Sequence, residues 1–301
     1  MKLLEKGWID LRAQFRRLRR ASRPSRLLLR LDDLDAPGPL PPTDMNVEAW
    51  QAQLVELYTW AGVVPTVLVG RVGNPLVSSL IRFCHRLEAP TTLRTSGSGL
   101  SLRAAEGLVD DGLDTLWIRM AGAASHEQLC GEPLALTHDA VRAILHARAD
   151  RKVPLKVGIE AVFRLESARE LPGIFREAKE LGVDRVRVLP PWVGPAWDSR
   201  QSVMVDLLAL ERPPFHTSPP SVLAGLREMQ DAQPGSPRRS GRCPVGGQLE
   251  LLTDRSLRSC PFHPGAVAAD TPIDQISTRL AAHQDRVRRC DRVCHHPDLM
   301  P

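Results

Sequence analysis

Six cysteines carry the most evident chemistry in this sequence: Cys84, Cys130, Cys243, Cys260, Cys290 and Cys294. None precedes Cys84, and four fall in about the last fifth of the chain. Cys243 opens the run Cys243-Pro244-Val245-Gly246-Gly247, Cys260 follows after sixteen intervening residues, and Cys290 and Cys294 bracket Asp291-Arg292-Val293. Four thiolates are a full ligand set for one [4Fe–4S] cluster. They are equally a full set for one tetrahedral structural Zn²⁺. Spacing alone does not separate the two, and His263, His295 and His296 stand close by as alternative ligands. The competing reading is a set of unligated thiols left from a lost site, and the clustering argues against it. Four-thiolate ligation leaves no open iron, so such a cluster would be structural or an electron relay. Cys84 lies by the buried face of a predicted helix and reads as a core thiol. Cys130 reads as a lone thiol.

A second group is acidic: Asp32, Asp33 and Asp35 follow the first predicted strand. Closely spaced carboxylates can hold a hard divalent ion or act as acid and base. The plainer reading, an acidic loop paired with nearby arginines, is preferred, because perturbed carboxylates need burial. Neither a P-loop nor an HExxH motif is present, and no Ser/His/Asp order stands out, so no catalytic residue is assigned.

The elements that must position these groups follow from hydrophobic periodicity. Strand-like runs are Arg26–Leu31, Thr66–Val69, Thr91–Thr95, Thr115–Met120, Leu155–Val162 and Arg185–Leu189, with Ser202–Leu208 as a further candidate. Helix-like runs between and after them are Asn46–Ala61, Pro75–Leu87, Leu102–Asp110, His138–Asp150, Ser167–Leu181 and Ser221–Asp231. Such alternation implies βαβ units and a parallel sheet. The count is about six units, fewer than the eight of a full TIM barrel. The expected fold is therefore α/β, a partial, open TIM-type barrel with a small Cys-rich C-terminal extension. The expected organisation is a basic amphipathic helix over 1–24, the barrel over 25–232, and a cysteine module over 233–301. In that module Gln248–Arg255 reads as a hairpin. No glycine fingerprint for a dinucleotide follows the first strand.

The order of these signals resembles the radical S-adenosylmethionine (SAM) superfamily, with a tail similar to its SPASM or twitch extension. Val69-Gly70-Arg71-Val72-Gly73-Asn74-Pro75-Leu76 stands where that family has Gly-Gly-Glu-Pro, with Asn74 in place of the acid. Arg94-Thr95-Ser96-Gly97 stands where it has Thr-Asn-Gly. Gly112-Leu113-Asp114 through Gly122-Ala123 matches the fourth strand, with Arg119 and Ala121 replacing its Ser and Asp. Glu180 to Pro190 matches the turn into the sixth strand. Gly131-Glu132-Pro133-Leu134 spells the second-strand motif but follows the fourth strand, and reads as a loop with chance similarity.

The resemblance implies SAM contacts at Gly73, Asn74, Pro75, Thr95, Ser96 and Gly97. It also favours [4Fe–4S] over Zn²⁺ at Cys243, Cys260, Cys290 and Cys294. One departure is large. The family's first-strand loop carries CxxxCxxC, whose thiolates hold the cluster that cleaves SAM, and here the loop after Leu31 has no cysteine. Oxygen ligands and prolines do not replace three thiolates on iron. The implied protein is a degenerate member, a pseudoenzyme that holds a peptide or pairs with an active radical SAM enzyme. An active enzyme that modifies a peptide or small molecule, and a Zn-stabilised binding protein, are the alternatives.

Composition limits the other classes. The chain has 301 residues with 43% hydrophobic and 25% charged residues, ordinary globular values. Its net charge of +5 is modest. The basic stretches are poor in aromatics, with Trp8 and Phe15 in residues 1–30 and none in Arg238–Arg242, which argues against nucleic acid. No apolar run reaches the length of a membrane span. No signal-peptide core is visible, so the expected location is the cytoplasm.

Overall fold

A computed structural model describes residues 24–32, 34, 43–162, 169–188, 248–258, 267–269, 271–272 and 275–276. The predicted N-terminal helix, the Ser202–Leu208 and Ser221–Asp231 elements and the four tail cysteines lie outside the described residues.

Six strands follow the chain: β1 (Arg26–Arg30), β2 (Thr66–Val69), β3 (Thr91–Thr95), β4 (Thr115–Met120), β5 (Lys156–Ala161) and β6 (Arg185–Val188). Each pairs in parallel with the next. The helices between them are α1 (Val47–Ala61), α2 (Pro75–Arg86), α3 (Leu102–Asp110), α4 (His126–Cys130), α5 (Leu134–Arg151) and α6 (Leu171–Leu181). Two further strands, β7 (Gln248–Leu251) and β8 (Leu257–Arg258), form a hairpin that starts where one was expected and runs past the expected end at Arg255. β7 pairs in parallel with β1, so the sheet order is β6-β5-β4-β3-β2-β1-β7-β8. Among the described strands the sheet is not closed on itself, and the architecture is the expected partial barrel.

Strand side chains alternate between faces, and that alternation sorts the core. Leu27, Leu29, Leu68, Leu93, Leu116, Ile118, Val157 and Ile159 point to the helices and join the main core with Trp50, Leu54, Leu80, Ile81 and Ile144. Leu28, Val67 and Val69 point the other way and form a separate small cluster with Leu34. This second face is the inner face of the partial barrel.

Local sequence signals set the helix ends. Asn46 caps α1 by accepting from the Ala49 amide at 3.0 Å, and Ser101 caps α3 by accepting from Ala104, as short polar side chains do. Pro75 opens α2, where its missing N–H costs nothing. Gly112 turns α3 into β4 at φ +86°, and a Cβ there would stand 2.4 Å from the His85 ring, so only glycine fits. The predicted His138–Asp150 helix is the C-terminal part of α5, which begins earlier at Leu134. α4 is an additional short helix, and Gly131-Glu132-Pro133 is the link between the two.

The hairpin is tied to the barrel near the start of α1. The Asp44 amide donates to Thr253 O at 2.7 Å, Arg255 Nε donates to the Asp44 carboxylate at 2.6 Å, and the Gln53 side chain donates to Arg255 O at 2.9 Å.

Candidate functional site

In a parallel barrel, the C-terminal strand ends and the loops after them form the face where ligands bind. Two of the loops predicted to contact SAM meet there. The β2 loop carries Gly73, Asn74 and Pro75, and the β3 loop carries Thr95, Ser96 and Gly97. The loops are in contact: the Gly70 amide donates to Arg94 O at 3.0 Å, and a Cβ on Gly99 would stand 3.8 Å from the Gly73 amide nitrogen. Gly73 faces open space. The polar atoms around it are largely engaged in building the loops. Asn74 Oδ1 accepts from the Leu76 amide at 3.0 Å, capping α2, while its Nδ2 donates to Leu31 O and to the Asp32 carboxylate, both at 3.3 Å. Thr95 and Ser96 are buried. Their hydroxyls accept from the Gly97 and Ser98 amides at 3.4 and 3.3 Å.

In the family that the sequence resembles, the SAM-cleaving cluster follows the first strand. Here Asp32 follows β1, and its carboxylate accepts from the Arg71 amide at 2.7 Å and from Asn74. A Cβ on Gly70 would come within 3.1 Å of that carboxylate and of Leu31, so Asp32 is packed into the loop junction. Hard, engaged oxygen is a poor ligand for an iron–sulfur cluster. The described residues at the end of β1 do not fit that group. Asp33 and Asp35 lie outside the described residues. Among the described residues no three His, Cys, Asp or Glu side chains converge as a metal site. The proposed tail ligands Cys243, Cys260, Cys290 and Cys294 also lie outside them.

At the end of β4 a buried chain of hydrogen bonds runs across the rim. The Ala121 amide donates to His126 Nδ1 at 3.0 Å. Nδ1 also lies 3.3 Å from Ala121 O, and Nε2 lies 2.9 Å from Thr137 Oγ1. Thr137 donates in turn to Glu132 Oε1 at 3.4 Å. Burial pushes the His126 pKa down, which keeps the ring neutral. Burial pushes the Glu132 carboxyl up, against the hydrogen bond from Thr137. Glu132 therefore anchors α5 beside the β3 loop. It sits on the α4–α5 link and not on the second strand, as its place in the sequence implies.

The inner face holds what sequence reasoning missed. Glu160 on β5 is fully buried and receives three arginines. Arg94 grips it with both prongs, Nε to Oε1 at 2.7 Å and Nη2 to Oε2 at 3.0 Å. Arg187 Nη2 donates to Oε1, and Arg119 Nε lies 3.9 Å from Oε2. A second carboxylate, Glu250 on β7, accepts from Arg30 Nε and from Arg258 Nε at 2.5 Å. The Arg187 guanidinium stacks on the Trp117 ring at 4.5 Å. Burial and the neighbouring Arg30 hold the Arg94 pKa down to about 9. Arg187 is lowered by burial and then by Arg94, Arg26 and Arg119. Arg119, which departs from the fourth-strand motif, belongs to this layer. The missed signal was a charged residue at an inward position in strand after strand: Arg30, Arg94, Arg119, Glu160 and Arg187.

Cys84 is fully buried, as expected of a core thiol; burial raises its pKa and Tyr58 approaches it at 3.5 Å. Cys130 is half-buried and unpaired, and burial pushes its thiol up to about 11. Neither has the lowered pKa of a reactive thiolate.

No protein-family model matches the sequence, and no curated protein matches it. Solved structures do match. SuiB of Streptococcus suis superposes with a TM-score of 0.63 at 13% identity, over 95% of this chain and 72% of that one. SuiB bound to precursor peptide SuiA gives 0.62 at 12% identity, over 90% and 68%. Native anSMEcpe with bound AdoMet gives 0.56 at 12% identity, over 88% and 86%. At these identities the likeness is one of fold: the chain has a radical-SAM-like fold. Among the described residues, no helix is long and apolar enough to cross a membrane.

Proposed function

We propose that this chain is a radical-SAM-like protein without the SAM-cleaving cluster. It holds a peptide in the barrel, as the substrate-binding or partner subunit of an active radical SAM enzyme. Its C-terminal module carries one [4Fe–4S] cluster on Cys243, Cys260, Cys290 and Cys294, four thiolates being a complete and closed set. The observation that supports the reading is at the end of β1. No cysteine precedes Cys84 in the sequence, and Asp32 is engaged with Arg71 and Asn74 where three thiolates would be needed. Without an iron there, an electron has no route to the sulfonium of SAM. The peptide part draws on the fold shared with SuiB, which was solved with precursor peptide SuiA.

The test is anaerobic reconstitution with iron and sulfide, then reduction in the presence of SAM. The expected result is no 5′-deoxyadenosine above a protein-free control. Its formation in stoichiometric or greater amount overturns the proposal and restores the reading as an active enzyme.

A further inference from the structure

The charged layer of the inner face does not follow from the cluster-free reading. Burying a guanidinium is costly unless it is paired and its donors are satisfied. Glu160 is shared by Arg94, Arg119 and Arg187, and Glu250 by Arg30 and Arg258. Among the described residues, five guanidinium groups thus converge on these two carboxylates. Within this layer Arg187 Nε and Arg258 Nη2 are buried, with no hydrogen-bond partner among the described residues. Both are held in place from another side. Arg187 is stacked on Trp117 and bonded to Glu160 through Nη2, and Arg258 is bonded to Glu250 through Nε. These are preorganised donors of the kind that receive carboxylate or phosphate oxygens.

We propose that the inner face of the partial barrel binds an acidic peptide segment, whose carboxylates take the unsatisfied donors of Arg187 and Arg258. This rests on the reading of the barrel as a peptide holder and names the class of peptide. Arg187 belongs to the β3–β6 cluster around Glu160, and Arg258 to the cluster of β1, β7 and β8 around Glu250. One ligand that serves both needs at least two separated anionic groups, which Asp or Glu residues spaced along a peptide supply. Arg26, whose pKa is lowered by burial and by Arg94, adds positive charge on the same face.

The test is fluorescence anisotropy on the full chain with a labelled peptide of alternating Glu and Gly. The same peptide with Gln for Glu, and pyrophosphate as competitor, are the further arms. The Glu peptide is expected to bind at low salt and to weaken as salt is raised, while the Gln peptide fails to bind. Arg187→Gln and Arg258→Gln should each weaken the Glu peptide about tenfold, the loss of one charge-assisted hydrogen bond. Equal binding of the Gln peptide, no binding at low salt, or unchanged affinity in folded variants overturns the proposal. So does pyrophosphate binding that depends on Arg187 and Arg258 but is not displaced by the Glu peptide, since the anion is then not a peptide. If either variant fails to fold, the Glu-against-Gln comparison on the unaltered chain still decides. Production of 5′-deoxyadenosine is measured separately: it ends the cluster-free reading without altering these affinities, so the two failures are distinguishable.

Discussion

Glu160 and Glu250 stand in the same layer, and they give different predictions. Glu160 neutralises part of a three-arginine cluster while itself wholly out of water. Removing one partner of a buried ion pair leaves charge uncompensated and costs about 3–5 kcal/mol. Glu160→Gln keeps the shape and removes the charge, so it should lower unfolding free energy by that order in urea titration. A loss below about 1 kcal/mol would mean the cluster is neutralised from elsewhere. Glu250 tests the same physics by pH. Burial raises its pKa, but Arg30 and Arg258 outweigh that and hold the carboxyl below its ordinary 4.5. A folded-state pKa below the unfolded one means the unfolded chain binds the proton first. The stability it contributes is thus fully present above about pH 4.5 and is lost as pH falls through the lower folded value. The stability gap between the unaltered chain and Glu250→Gln should be widest near neutrality and close on acidification. A gap that stays constant down to acid unfolding would contradict the pairing with Arg30 and Arg258.

The strands and helices show where the sequence was transparent and where it was not. Alternating βα periodicity located β1 to β6 within a residue or two, because a buried parallel strand and an amphipathic helix leave different apolar spacings. Periodicity placed the starts of α1, α2 and α3 within a residue, and the structure shows why they fall there: Asn46 and Ser101 cap orphan amides and Pro75 omits one. The start of α5 was missed because Gly131-Glu132-Pro133 reads as loop chemistry, yet Pro133 is its N-cap. The inner arginine layer left only a partial signal, charged residues at inward strand positions, for a different reason. Its contacts join residues far apart in sequence, Arg94 with Glu160 and Arg30 with Glu250, and only strand order brings them together. Within the motif, Arg119 registered as a lost serine and not as a member of a layer. Two glycines test the strand and helix packing separately. A Cβ on Gly158 in β5 would stand 2.4 Å from the Trp117 ring, so Gly158→Ala must displace the ring on which Arg187 stacks. Overpacking of this kind costs about 1–3 kcal/mol, read as a lowered Tm. Gly107, inside α3, faces nothing within 4 Å. Gly107→Ala should instead stabilise by about 0.5–1 kcal/mol, since glycine is the costlier residue in a helix interior. If the two shifts share a sign, one of these packing accounts is wrong.

At the scale of the whole molecule, the chain joins a barrel whose first loop has no thiolate to a tail rich in them. The hairpin that separates Cys243 from Cys260 in sequence is continuous with the barrel sheet through β7 and β1, and its turn is held by Asp44 and Gln53 near the start of α1. A metal bound by the tail thiols would therefore be coupled to the barrel, because ligand binding to the folded form alone adds to its stability. Anaerobic purification with iron, sulfide and zinc counted per chain reads the prediction directly. One closed four-thiolate cluster gives about four irons and four sulfides per chain. Cys290→Ala or Cys294→Ala should lower both counts together and lower Tm, while Cys84→Ala, which changes a buried core thiol, should leave the iron count unchanged. About one zinc with no iron replaces the cluster with a structural Zn²⁺ site on the same thiolates. About eight irons requires a second cluster. With no cysteine before Cys84 and Asp32 committed to Arg71 and Asn74, that count contradicts the cluster-free barrel.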